Sequence, residues 1–93
     1  MTRDEALETI REEGLHGYVW FEDPSNHTEV VVIQRDGAEW TVLTTNERAG
    51  VEGLQRFVDE GEALDDFVRR LRAGRRAEAI HHRRQDRQRA QTE

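Results

Sequence analysis

Two short apolar runs, Val30-Val31-Val32-Ile33 and Trp40-Thr41-Val42-Leu43, stand on either side of Asp36-Gly37. β-Branched and aromatic residues suit a pleated, half-buried surface, and Asp-Gly turns the backbone tightly. The segment from about Glu29 to Thr45 is therefore expected to form a β-hairpin. Its register has two solutions. A two-residue turn at Asp36-Gly37 puts Val31 and Ile33 on the face of Trp40 and Val42. A three-residue turn with Gly37 in a bulge puts Val30 and Val32 there instead, because a one-residue slip exchanges the faces. Either way both faces carry apolar side chains. One face must pack on helices, and the other is either covered or available to a partner, a second copy of the chain included.

The flanking segments supply the cover. Thr2-Arg3-Asp4-Glu5 fits a capping box, with Thr2 as N-cap and Glu5 three residues on. Leu7 and Ile10, with Ala6 beside them, make a narrow apolar stripe, and Gly14 is a stop signal, so a helix is expected over about residues 3–13. Gly17 to Asp23, dense in aromatic residues, reads as a strand ended by Pro24. Asn46 to Gly53 is polar and reads as a loop, and Leu54 to Val58 as a short fourth strand. Asp59 and Glu62 then fit the N-cap and third position of a second helix. Ala63, Leu64, Phe67, Val68 and Leu71 give it one apolar face, and Gly74 is its expected C-cap. The expected fold class is α+β: a helix, a three- to four-stranded antiparallel sheet, an amphipathic helix and a basic extension. Residues 1–74 form the domain. Residues 75–93 hold one large apolar side chain, Ile80, and read as a helical or disordered extension.

Composition bounds the function. The 93 residues contain no cysteine, which excludes disulfides and thiolate metal sites. The N-terminus lacks the apolar core of a signal peptide, and no apolar run approaches a membrane span, so a cytoplasmic protein with no membrane partner is expected. Ser25 is the single serine and no nucleophile–base pair is evident, so no enzyme is expected. Glu78, His82 and Asp86 would share a face of a helix, but an unanchored segment is a poor metal site, and neither a metal nor a cofactor is expected.

Charge is the remaining signal. Residues 1–68 carry a net −12 and residues 69–93 a net +6. Asp59, Glu60, Glu62, Asp65 and Asp66 cluster at the start of the second helix. First-turn acids suit the helix dipole, and the same cluster is a candidate recognition face for a basic protein. The alternative is nucleic acid bound by Arg75, Arg76, Arg83, Arg84, Arg87 and Arg89. No aromatic residue interleaves these arginines, and all fourteen basic residues of the chain are arginine, so arginine here is the default surface cation.

Three pieces carry a resemblance: Trp40 to Arg48, then Phe57, then Glu60-Gly61-Glu62-Ala63-Leu64-Asp65-Asp66-Phe67. Together, over about residues 38–72, they resemble small bacterial immunity proteins of polymorphic toxin systems, with Ala49 intervening before Gly50. The resemblance implies an α+β protein that binds and neutralises a cognate toxin. It carries over no toxin-contacting residue.

Overall fold

The computed structural model describes residues 1–75. A first helix, α1 (Arg3–Glu13), is followed by β1 (Tyr18–Trp20), β2 (Val31–Asp36), β3 (Glu39–Thr45) and β4 (Val51–Phe57). A second helix, α2, covers residues 60–75 and reaches the last described residue. The protein is thus α+β, with one four-stranded sheet in the order β1-β2-β3-β4.

The boundaries of α1 follow from its sequence. The Thr2 hydroxyl accepts the Glu5 N–H, the Glu5 carboxylate accepts the Thr2 N–H, and Gly14 closes the helix in the left-handed region at φ +62°. Ala6 and Ile10 are buried, but Leu7, expected beside them, is 41% exposed. The buried stripe of α1 is therefore narrower than the apolar spacing suggested.

The hairpin pairs Ile33 with Val42 and Val31 with Thr44, so Val31, Ile33, Trp40 and Val42 share a face. The loop is Gly37-Ala38 rather than Asp36-Gly37, because Asp36 pairs with Glu39. Gly37 has φ +64° and Ala38 no positive φ, as a II′ turn with glycine first requires. Asp36 stays in the strand, and its carboxylate receives a hydrogen bond from Arg56 on β4 at 3.0 Å.

The sheet is mixed, which corrects the antiparallel expectation. β1 runs parallel to β2, with Val19 opposite Val32. The ten residues between these strands form a return loop, not a hairpin turn. β1 is also shorter than Gly17–Asp23, because Phe21 leaves the extended region at φ +54°. That conformation is costly for a bulky side chain. Phe21 is held in it by an edge-on contact with Trp20, by Arg3 lying 4.2 Å over its ring, and by its N–H donating to Ile33.

β4 begins three residues earlier than expected. Gly53 at φ +59° does not end a loop; it forms a bulge where the β3 register jumps between Val42 and Thr44. Glycine in the left-handed region is the residue such a bulge calls for.

Both helices pack on the face of Val31, Ile33 and Val42. Leu64, Phe67 and Val68 of α2 are buried there with Ala6 and Ile10 of α1. Phe67, fully buried, meets Tyr18 edge-on at 5.9 Å and Trp20 at 5.8 Å. Burying such a side chain contributes about 2–3 kcal/mol from area alone. Ion pairs join the helices at both ends: Arg3 to Glu60 at 2.7 Å, and Arg72 to Glu13 at 2.9 Å. The helices therefore run side by side and parallel. Gly74 does not cap α2, which continues through it with no positive φ. Arg72 and Arg75, on either side of Gly74, both hold Glu13, Arg75 through its backbone carbonyl. Two anchors on α1 offset the ~1 kcal/mol that glycine costs inside a helix.

Candidate protein-binding surface

The second sheet face carries the row Val19, Val32 and Leu43, each 5% exposed or less, with Val30 packed against it. Gln34, on the same face as Val32, donates to the Glu22 carbonyl at 3.0 Å, which ties the start of the loop after β1 to β2. The apolar centre of the second face is covered within the chain. The aromatic side chains Tyr18, Trp20, Phe21 and Trp40 all pack on the helix side, against the main core.

Exposed apolar surface lies elsewhere. Val51, Leu54 and Val58 are 57%, 50% and 80% exposed, in and just after β4. Among the described residues β4 is, with β1, one of the two end strands of the sheet and has no strand on its outer side. Sequence reasoning placed Leu54 and Val58 in a strand but named no face or edge for them. The glycine at 53 was the available signal of an irregular outer strand.

The acidic cluster divides when placed in the fold. Asp59 and Glu62 are exposed, and no described cation lies within ion-pair range of either. The Asp59 carbonyl accepts the Ala63 N–H at the start of α2. Glu60 is half-buried against Arg3, and Asp65 is exposed, 3.8 Å from the N-terminal ammonium. Asp66 is 4% exposed, with its carboxylate held by Arg69 and, at 2.9 Å, by Arg70. The structure directs Asp66 inward and leaves Asp59, Glu62 and Asp65 on the surface.

Arg70 is the link between α2 and the outer strand. It donates to the Gly53 carbonyl at 2.6 Å and to the Thr44 hydroxyl at 3.3 Å, while pairing with Asp66. The bulge presents the Gly53 carbonyl to α2, and the guanidinium fork satisfies it there. Arg72 and Arg75 are occupied by Glu13. The Arg72 guanidinium beside Glu13 holds the Glu13 carboxyl below the usual carboxylate range, and Glu13 in turn raises the Arg72 pKa. The described arginines of the basic end thus make contacts within the fold. Arg76, Arg83, Arg84, Arg87 and Arg89 lie outside the described residues, as do Glu78, His82 and Asp86.

A pocket of about 90 Å³ lies between the α1–β1 turn and α2, lined by His16, Glu29, Arg70 and Arg75 among others. Sites for cofactors or drug-sized ligands enclose several times that volume. A wide, shallow hollow at the start of β4 is lined by Glu29, Glu47 and Glu52, with Arg48. No helix of the described residues is long and apolar enough to cross a membrane, and no cluster of metal-ligating side chains is present among them. No family model, curated protein or solved structure matches the chain. Fold and surface therefore define the protein by class, as an α+β domain with an open, apolar outer strand bordered by acids.

Proposed function

We propose that the protein is a non-enzymatic protein-binding module of the immunity or antitoxin type, which presents an acidic surface to a basic protein partner in the cytoplasm. The observation that carries this reading is the adjacency of Val58, 80% exposed, to the exposed Asp59 and Glu62, which have no cation within ion-pair range among the described residues. Apolar side chains supply affinity once desolvated, and unpaired rim acids steer a cationic partner and reject an anionic one. Residues 1–75 carry a net −8, which adds long-range attraction of the same sign. The resemblance of residues 38–72 to immunity proteins points the same way.

The test is capture of partners from the native host on immobilised protein, repeated with Asp59→Arg/Glu62→Arg. A basic protein held by the wild type and lost by the variant, with association slowed as salt rises, supports the reading. Retention of nuclease-sensitive nucleic acid, or a protein partner indifferent to the reversals, refutes it. Asp66 is left intact in this design, because its reversal would disrupt the fold rather than the surface.

A further inference from the structure

We infer that the outer edge of β4 is a strand-addition site, taking an extended segment of a basic partner with cations at both ends and apolar residues between. This rests on the protein-binding reading and names the surface and the chemistry it recognises. An edge strand without a neighbour exposes backbone N–H and C=O groups that template a further strand. Natural edges are commonly protected by prolines, charged side chains, bulges or a covering element, and of these β4 has the bulge at Gly53 and the charges of Glu52 and Arg56. β4 contains no proline, and its one cation, Arg56, is drawn toward Asp36 at the hairpin end. Its exposed apolar side chains, Leu54 and Val51, remain at the surface.

The charges at its two ends select the occupant. Glu29, Glu47 and Glu52 outnumber Arg48 around the hollow at the start of β4, and Asp59 and Glu62 follow its end. Seven extended residues span about 23 Å, so the two acidic groups lie at opposite ends of one peptide-length track. A second copy of the chain fits this track badly. Antiparallel edge pairing sets each copy's acidic start against the other's acidic end, and parallel pairing sets like ends together. Both bring carboxylates into apposition, and like charges facing each other across strands are destabilising. The same acids repel nucleic acid. An extended segment with arginine or lysine at both ends meets the acids with opposite charge and covers Leu54 and Val51 with its centre. The bulge at Gly53 interrupts the edge and restricts which registers such a segment can adopt.

The experiment is an NMR titration of the ¹⁵N-labelled full chain with two synthetic heptapeptides. Both alternate valine and threonine at the centre; one has arginine at each end, the other glutamate. The expected result is shift changes and slowed amide exchange across residues 51–58 with the arginine peptide, and none with the glutamate peptide. Leu54→Lys/Val58→Lys, at side chains half or more exposed, should keep the native spectrum and weaken binding at least tenfold. Shifts confined to residues 59–65 would overturn strand addition while leaving the acidic protein-binding reading standing. No response to either peptide, equal response to both, or sedimentation of the free protein as a β4-paired dimer would each overturn the inference.

Discussion

Replacing Arg70 by methionine tests whether one guanidinium fastens α2 to the outer half of the sheet. Methionine keeps most of the aliphatic stem and removes the fork. Three contacts are lost: the 2.6 Å bond to the Gly53 carbonyl, the longer 3.3 Å bond to Thr44, and the 2.9 Å pairing with Asp66. A hydrogen bond to a charged donor contributes about 1.5–3 kcal/mol, and the short Gly53 bond belongs in that range. The Thr44 bond is too long to add much. Breaking a buried ion pair costs about 3–5 kcal/mol when the remaining charge is left alone, but Asp66 keeps Arg69, so that loss is smaller here. The expected destabilisation is about 3 kcal/mol, a large share of the ~5–15 kcal/mol that holds a small domain together. Urea unfolding followed by tryptophan fluorescence should show a lowered midpoint with an unchanged slope. A double-mutant cycle with Asp66→Asn should return a coupling of about 1–2 kcal/mol. An Arg70→Met protein within ~0.5 kcal/mol of wild type would refute the anchoring argument, and zero coupling would refute the ion pair.

Phe67→Ala should cost about 3–5 kcal/mol, because a fully buried ring between Tyr18 and Trp20 is replaced by a cavity; an unchanged melting curve would mean α2 is not packed on the sheet. Gly53→Ala should cost about 1–2 kcal/mol, since a β-carbon is disfavoured at φ +59° whatever space surrounds it; thermal melting of the variant measures this. The Glu13 carboxyl titrates below its ordinary value, so its contribution is complete above that value and is lost as pH falls through the depressed folded pKa. Melting temperatures of wild type and Glu13→Gln should therefore differ near neutral pH and converge in acid, with a pH-independent difference counting against the Arg72 pairing.

Local chemistry in the sequence determined the elements that need no distant partner. The capping box at Thr2 and Glu5 and the glycine at 14 set both ends of α1, because they satisfy backbone groups within a few residues. The spacing of Leu64, Phe67, Val68 and Leu71 identified the buried face of α2, and Phe67 is at its centre. Asp36-Gly37 located the hairpin, and the face shared by Val31, Ile33, Trp40 and Val42 was one of the two legible beforehand, but the pairing itself is offset by two residues because the loop is Gly37-Ala38. Tertiary structure decided the rest. The direction of β1 depends on where a ten-residue loop returns, which side-chain periodicity does not encode. Gly53 reads as the end of a polar loop until β3 lies beside it and makes it a bulge. Asp66 reads as a surface acid until Arg69 and Arg70 enclose it, although Asp59 and Glu62, of the same charge and nearby in sequence, stay in solvent. Exposure of Val51 and Leu54 likewise depends on strand order: in an inner strand a neighbour would flank them on both sides, whereas among the described residues β4 lies at the edge of the sheet.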